Sequence, residues 1–330
     1  MRLAVVIPVR NRAALLTRCL SALTAAIHDA TQAGHTVDVV VADNGSHDET
    51  VRVAREHMPT VRVTYSMAAC VGGVRNDGAR AALALDAAAP DAVVFLDADC
   101  LVPPDFLRSC VDVFAESGAD AVGCEVYAPK DGHWTERAWD ALHRPGGDGP
   151  RHYINSACFA IRREAFEAIG GFDATRTSSE DVDICQRLVA WGGNLFQSER
   201  LAVLHLGNPQ RLRDFWLRIV WHNEGVFDAH GRMQRAPMIY ATLLHGIVLT
   251  LCIAAAAARM AVAPWQSISL LLVGFLLTPA LFVLARQRQF RRRMPLLAST
   301  ALMALTFPAR LHGMARGWLR RGDAPRYTAS

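Results

Sequence analysis

The 330-residue sequence lacks several features that would point to particular protein classes. Its eight cysteines show no paired spacing of the zinc-binding kind, and no internal repeat is present. These absences argue against zinc-ribbon and repeat architectures, and they predict cysteines that act as small apolar residues in a reducing compartment. The apolar run at residues 1–9 is too short for a signal peptide and lacks a small-residue cleavage site. It therefore predicts a first strand and no export.

Charge is divided unevenly along the chain. Residues 1–205 carry 19 Arg or Lys against 27 Asp or Glu, whereas residues 206–330 carry 16 against 4. The basic part also holds the long uncharged apolar runs. Nucleic-acid binders rarely interleave such runs with their positive charge, so this combination indicates anionic membrane lipids as partners and no nucleic acid.

Apolar runs alternate with amphipathic segments in the first part of the chain. Buried strands are predicted at residues 3–9, 37–42, 61–65 and 93–96. Helices are predicted at residues 13–30 and 104–117. Two more are predicted between them, one that begins near residue 48 and one that ends at residue 89. This strand–helix alternation predicts an α/β fold.

Polar residues follow two of these strands, at the sheet edge where open α/β folds bind ligands. Asp97 and Asp99 follow the fourth strand, and two carboxylates so close favour a divalent cation bridging to phosphate oxygens. An acidic turn is the simpler interpretation of the same residues. Asp43 and Asn44 follow the second strand, where they either contact a nucleobase edge or only form the turn.

A glycine-rich stretch surrounds Arg75 ahead of a predicted alanine-rich helix. Backbone amides at a helix start and a guanidinium both favour a diphosphate, although a pair of glycines forms a plain loop in most proteins. Further along, Glu180, Asp181 and Asp183 stand before a predicted helix at residues 184–191. Helix capping explains acidic residues there, but three carboxylates in four residues exceed that need, and one could serve as a general base.

His205 ends an apolar run at residues 201–204. Its imidazole could supply a nitrogen ligand to a metal ion held by Asp99. A surface histidine without a ligand role is the alternative.

The C-terminal part predicts membrane contact. Residues 211–227 carry an apolar stripe at helical spacing, which predicts a helix in the bilayer interface or one packed on the protein. Residues 240–258 and 265–285 are uncharged and long enough to span a bilayer. Five arginines in residues 286–293 would mark the cytoplasmic side. We expect residues 294–309, which are short for a span, to be re-entrant or interfacial.

Six motifs, in order, resemble those of family 2 glycosyltransferases of GT-A fold. They are the stretches at residues 5–12, 43–46, 75–78, 96–99, 170–173 and 180–183. The resemblance implies a Rossmann-like mixed sheet with helices on both faces, followed by a C-terminal α-helical transmembrane region. The expected domains are a catalytic domain at 1–207, an interfacial helix and linker at 208–235, and a membrane region at 236–330.

The resemblance also implies a donor site. The residues expected to bind the nucleotide sugar are Pro8, Arg10 and Asn11 along the nucleotide, Asp43 or Asn44 at the base, and Arg75 and Asp97 near the diphosphate.

The catalytic and metal residues follow from the same resemblance. Asp99 would be the direct ligand of Mn²⁺ or Mg²⁺, with Asp97 beside it and His205 as a further ligand. Asp181 would be the base that deprotonates the acceptor hydroxyl, and Glu180 would lie nearby in the acceptor site.

The implied function is inverting, metal-dependent, non-processive transfer of a sugar from a nucleoside-diphosphate sugar to a hydroxyl of a lipid, lipid-linked or cell-envelope glycan. Processive members carry Gln-x-x-Arg-Trp after the base, which residues 185–191 lack. A polyprenyl-phosphate sugar transferase, a nucleotidyltransferase and a non-catalytic sugar-nucleotide binding protein are the alternatives. The expected location is the bacterial inner membrane, multi-pass, with the catalytic domain facing the cytoplasm.

Overall fold

The computed structural model describes residues 1–84, 89–144, 146–227, 233, 237–291 and 293–319. These residues form two compact units. The sheet unit comprises Met1–Pro129 and Gly146–Gly207, and the helical unit comprises residues 130–144 and the described residues from 208 onward. The stretch 130–144, which the sequence placed within the catalytic domain, thus groups with the C-terminal helices.

Strands and helices alternate along much of the sheet unit, which begins with a strand. The strands are β1 (Arg2–Val9), β2 (Thr36–Asp43), β3 (Arg62–Tyr65), β4 (Ala92–Leu96), β5 (Cys100–Leu101), β6 (Ala121–Tyr127), β7 (Gly149–Arg151), β8 (Cys158–Arg162) and β9 (Leu195–His205). The helices up to β9 are α1 (Ala13–Gln32), α2 (Thr50–His57), α3 (Val71–Leu83), α4 (Phe106–Ser117), α5 (Trp134–His143), α6 (Arg163–Ala168) and α7 (Glu180–Trp191). Of these helices, α5 belongs to the helical unit.

The strands form one mixed sheet in the order β3-β2-β1-β4-β8-β6-β9-β5, with β7 also paired to β9. Strands β3, β2, β1 and β4 run parallel, and β8 is antiparallel to both β4 and β6. The four strands predicted from apolar runs are these four neighbouring parallel strands, and β6 and β9 also pair in parallel. The expected α/β fold with a mixed sheet is therefore confirmed.

Side chains of the central strands alternate between two buried faces, as the pleat of a strand requires. Leu3, Val5 and Ile7 of β1 pack in one core with α1 and α4, whereas Ala4 and Val6 pack in a second core with α3 and α7. A fully apolar strand with helices on both faces explains why β1 appears in the sequence as an uninterrupted apolar run.

The glycine-rich stretch differs from the expectation. It lies inside helix α3, which begins at Val71, and not in a loop ahead of a later helix. Close packing explains these glycines: a Cβ at Gly78 would stand 2.4 Å from Cγ1 of Val6 on β1, and one at Gly73 would stand 2.6 Å from Cβ of Ala68. Residues 85–88, in the expected continuation to residue 89, lie outside the described part.

The helical unit contains α5 together with α8 (Leu212–Glu224), α9 (Pro237–Arg259), α10 (Pro264–Gln289) and α11 (Leu296–Leu319). Two segments, Met238–Arg259 and Pro264–Gln289, are long and apolar enough to cross a membrane. They agree with the expected spans and are the structural support for membrane association. The apolar segment expected at 294–309 lies in α11, a helix that continues ten residues further.

Helix α8 packs on α11 within this unit. Its predicted apolar stripe supplies the buried residues Phe215, Ile219 and Val220, which share a core with Leu302 and Phe307. The stripe therefore favours the packed alternative over a helix that exposes this face to the bilayer. Residues 228–232, 234–236 and 320–330 of the expected linker and membrane region, and Arg292 of the arginine run, lie outside the described residues.

Candidate active site

The short pairing of β5 with β9 joins the aspartates after β4 to the end of the last strand. Cys100 lies opposite His205 in this antiparallel register, and the Leu206 amide donates to the Asp99 carbonyl oxygen at 2.9 Å. As a result His205 Nε2 stands 3.4 Å from Oδ1 of Asp99. Two residues that the sequence separates by more than a hundred positions thus meet as predicted.

Gly207 completes this corner and was not predicted. A Cβ at position 207 would lie 1.8 Å from Oδ2 of Asp99, so a side chain there would force the carboxylate to move. The backbone therefore approaches the carboxylate as closely as it does only because residue 207 has no side chain. No sequence pattern identified Gly207, because its partner lies on another strand.

The donors at this corner fit a divalent cation. Carboxylate oxygens of Asp99, the His205 imidazole and the Cys100 sulfur can all come within 4.8 Å of one another. The other imidazole nitrogen, Nδ1 of His205, is buried and has no hydrogen-bond partner among the described residues. Burial raises the pKa of Cys100 well above its usual range, so its thiol stays protonated and is a poor ligand. Asp99 and His205 are therefore the residues that could hold Mn²⁺ or Mg²⁺.

Asp97 points to a different partner. Its Oδ1 accepts a hydrogen bond from Nη2 of Arg75 at 2.8 Å, and Nη1 of the same guanidinium donates to Oε1 of Glu180 at 2.8 Å. Arg75 is 2% exposed and is the centre of a buried ion triad. Desolvation raises the pKa of Asp97, and the Arg75 charge opposes that rise. The triad fixes the start of α7 beside the end of β4.

The placement of Arg75 bears on its expected role. Both terminal nitrogens are engaged by carboxylates, and its guanidinium also lies over the Phe172 ring, 5.5 Å from the centroid. Contact between Arg75 and a diphosphate stays a prediction. In the structure, Arg75 holds Asp97 and Glu180 together.

Asp181 is the next residue along α7 and stands outside the triad. Its Oδ2 accepts a hydrogen bond from the Tyr153 hydroxyl at 2.7 Å. Desolvation and the neighbouring Glu180 charge raise the pKa of Asp181 to about 6, although its side chain keeps partial contact with solvent, and the Tyr153 hydrogen bond opposes that rise. A carboxylate with such a pKa is suited to accept a proton near neutral pH. Tyr153 was not predicted, since it lies in a loop with no motif around it.

The loops after β1 and β2 interlock at the same edge of the sheet. The Asn11 amide donates to Ser46 Oγ at 2.9 Å, and Asn11 Oδ1 accepts from the His47 amide at 2.8 Å. Asn11 has a positive φ of 52°, a backbone conformation that asparagine tolerates better than most residues. Pro8 lies near the end of β1 and Arg10 directly follows that strand, so three expected nucleotide residues lie at one strand end.

Asp43 and Asn44 are both buried at the end of β2. The Asp43 carboxylate accepts from the Ser46 amide, and the Asn44 amide group donates to the carbonyls of Ser66 and Ala68, each at 3.0 Å. The Asp43 bond is that of the turn interpretation, whereas the two Asn44 bonds join the end of β2 to the chain that follows β3. Contact of either residue with a base stays a prediction.

Comparison with known families identifies this arrangement. A family model described as glycosyl transferase family 2 matches residues 4–170, just over half of the chain, and a second, glycosyl transferase family group 2, matches residues 92–286. The chain belongs to glycosyl transferase family 2. The predicted family, and with it the predicted class of enzyme, is confirmed. Both matched stretches contain the Asp97–Asp99 corner and Arg162 of β8.

Two known proteins show how far the similarity in sequence extends. The pre-mycofactocin glycosyltransferase of Mycobacterium tuberculosis is 29% identical over 226 residues, which are 65% of this chain and 44% of that protein. The N-acetylglucosaminyl-diphospho-decaprenol L-rhamnosyltransferase of the same species is 26% identical, over 61% of this chain and 78% of its own. This chain therefore spans less than half of the first relative and about three quarters of the second.

A solved structure is similar in fold. The mannosyltransferase of Pyrobaculum calidifontis, in complex with GDP-Man and Mn²⁺, aligns with 97% of this chain and 85% of its own, with a TM-score of 0.51 and 19% identity. At that identity the likeness shows the fold alone.

Proposed function

We propose that this protein transfers a single sugar from a nucleoside-diphosphate sugar to an acceptor hydroxyl, with inversion at the anomeric carbon. The observation that carries the proposal is the Arg75 guanidinium, which binds Asp97 and Glu180 at 2.8 Å each. Through it, the expected base on α7 stands beside the expected donor corner at the end of β4. In a direct displacement these two groups would act on opposite sides of the anomeric carbon, the base on the attacking hydroxyl and the donor corner on the leaving diphosphate.

The reaction needs one base and one leaving group. Asp181 accepts the proton of the acceptor hydroxyl while that oxygen bonds to the anomeric carbon, and the bond from this carbon to the diphosphate oxygen breaks. Glu180 is held by Arg75 and by Ser156 Oγ at 3.3 Å, which leaves Asp181 as the carboxylate of the pair that is available as a base. A single carboxylate without a covalent partner is what a one-step inverting reaction uses.

Asp99 and His205 would hold the divalent cation. When bound, the cation would offset the charge that develops on the leaving diphosphate. The chain's own contribution there is to fix both ligands, through the β5–β9 pairing and the close approach of Gly207. Pro8, Arg10 and Asn11 would contact the nucleotide from the neighbouring strand ends.

The acceptor is proposed to be a lipid, a lipid-linked glycan or a cell-envelope precursor. Two observations support this class: two helices could span a membrane, and one relative is named for transfer to a diphospho-decaprenol-linked sugar. We further propose an inner-membrane, multi-pass protein whose catalytic domain faces the cytoplasm. The basic residues in the last turn of the second candidate span, at 286 and 288, and those after it, at 291 and 293, support that orientation.

The test is a donor screen on the full-length protein in detergent. UDP-, GDP- and dTDP-sugars are incubated with Mn²⁺ and membrane lipid extract, and released nucleoside diphosphate and pyrophosphate are both quantified. Nucleoside diphosphate is the expected product. Pyrophosphate would instead identify a nucleotidyltransferase, and donor binding without any release would identify a binding protein.

A matched pair of variants tests the base. Asp181→Asn should lower turnover by roughly 10²- to 10⁴-fold, the usual contribution of a general base. Asp183→Asn makes the same chemical change two residues along, in a side chain paired to Arg176 and Arg187, and should retain most of the turnover per folded molecule. Near-normal turnover by Asp181→Asn would reject the assignment.

A further inference from the structure

Four helices of the helical unit bring basic side chains together. We call this set the basic cluster: His143 on α5, His222 on α8, Arg286 on α10 and Arg310 on α11. Desolvation by the surrounding protein lowers the pKa of His143 although the residue is exposed, and the positive charges of Arg286, Arg310 and His222 lower it further. Each of these three groups therefore lies close enough to act on His143.

Ring contacts place the two arginines on adjoining helices at the same level. The Arg286 guanidinium lies over the rings of Phe282, at 5.3 Å, and Phe290, at 5.1 Å. Phe282 in turn contacts Phe307 of α11, with 5.7 Å between centroids, and Arg310 follows Phe307 by one helical turn. The packing of α10 on α11 thus fixes the separation of the two cations.

Aromatic packing also anchors the histidine on α5. Trp139 stacks on the His143 ring at 3.7 Å and meets Phe215 of α8 edge to face at 5.4 Å. Helix α5 packs directly on α11. Packed aromatic rings therefore hold the basic cluster in place, and its members are not long side chains free in solvent.

Neither arginine of the cluster has a carboxylate partner within the described chain. The Nε–H groups of Arg286 and Arg310 are buried and donate to no partner among the described residues. Two acidic residues of the same unit are used elsewhere: Asp140 pairs with Arg144 at 3.3 Å, and Glu224 pairs with Arg316 at 2.9 Å. Cations held near one another without acidic partners repel, and a bound anion relieves that repulsion.

The position of Arg286 indicates which anion. It lies in the last turn of α10, the second helix that could span a membrane. The end of a span is where lipid headgroups stand, and basic pockets between helices at that level bind anionic headgroups. Arginine suits phosphate because its planar guanidinium can donate two parallel hydrogen bonds. We propose that the basic cluster binds the phosphate of an anionic lipid. This inference does not depend on the proposed sugar transfer.

Lipid binding by the full-length protein in neutral detergent tests the proposal. The probes are farnesyl phosphate, phosphatidylglycerol, phosphatidylcholine and inorganic phosphate, and binding is measured by native mass spectrometry and by thermal shift without any sugar donor. We expect farnesyl phosphate or phosphatidylglycerol to bind more tightly than phosphatidylcholine or inorganic phosphate. Tighter binding of farnesyl phosphate would assign the site to a prenyl-phosphate lipid, and tighter binding of phosphatidylglycerol would assign it to bulk phospholipid. Equal binding of inorganic phosphate would overturn the lipid assignment.

Charge-matched variants locate the site. Arg286→Gln and Arg310→Gln should each weaken binding of the anionic lipid by roughly tenfold, which corresponds to about 1.4 kcal/mol. Arg288→Gln removes the same charge from the exposed surface two residues away and should change binding less than about twofold. Arg310→Lys keeps the charge and guards against misfolding of the glutamine variant, so it should retain most of the binding. Equal losses in Arg286→Gln and Arg288→Gln, or no loss in either cluster variant, would refute the site.

Discussion

The buried ion triad around Arg75 gives the most quantitative prediction. Arg75→Met keeps much of the side-chain length but removes the charge between Asp97 and Glu180, each 2.8 Å from the guanidinium. Removing one partner from a buried ion pair leaves an uncompensated charge and costs roughly 3–5 kcal/mol. For a unit of this size each kcal/mol lowers Tm by about 2–4 °C, so Tm of the sheet unit should fall by roughly 6–20 °C.

The same helix offers a matched control. Arg80 also lies on α3 and pairs with Asp77 at 3.0 Å, but its side chain is 75% exposed. Exposed pairs of this kind contribute about 0–1 kcal/mol. Arg80→Met should therefore lower Tm by no more than about 4 °C.

The loss in Arg75→Met should depend on pH. Without the guanidinium, desolvation and the Asp99 charge raise the pKa of Asp97 further, and this pKa is raised even with Arg75 present. A carboxyl group with a raised pKa in the folded state binds its proton more tightly when folded, so stability decreases as pH rises through that pKa. The destabilisation should be larger at pH 7.5 than at pH 5.5. Thermal unfolding of the full chain in detergent, followed by circular dichroism, measures the destabilisation at each of the two pH values. If Arg75→Met melts like Arg80→Met at both pH values, the triad does not hold the site together.

Two further substitutions test the site. Tyr153→Phe removes a hydrogen bond that lowers the pKa of Asp181, so the rising limb of the kcat/KM profile near pH 6 should move to higher pH by roughly 0.4–1 unit. The control substitution Tyr127→Phe should leave this limb in place. A limb that Tyr153→Phe does not move would contradict the contact between Tyr153 and Asp181. Gly207→Ala places a Cβ against the Asp99 carboxylate and should weaken Mn²⁺-dependent binding of UDP or GDP by roughly 10- to 100-fold in calorimetric titration. Unchanged binding would show that Asp99 is not a ligand of the metal.

The sequence was sufficient for the parts of the fold that depend on local composition. Every residue of β4 is buried and apolar, so its position was predictable, and so was the place of Asp97 and Asp99 after it. The meeting of Asp99 with His205 also followed, because Asp99 comes shortly after β4 and His205 ends β9 of the same sheet.

Features that depend on distances between remote side chains could not be predicted. Gly73 and Gly78 suggested a loop, yet they lie within α3 because β1 and Ala68 pass too close for a side chain. The engagement of Arg75 by two carboxylates required knowing that α3, β4 and α7 converge. Tyr153 and Gly207 carry no local signal at all, since each is defined by one contact across the site.

The central claim is that one carboxylate, Asp181, acts as a base opposite the leaving diphosphate. Proton NMR of the product, formed from a donor of known anomeric configuration, tests it most directly. The configuration at the anomeric carbon should be inverted in the product. A retained configuration, which requires a second displacement or a covalent sugar intermediate, would contradict it.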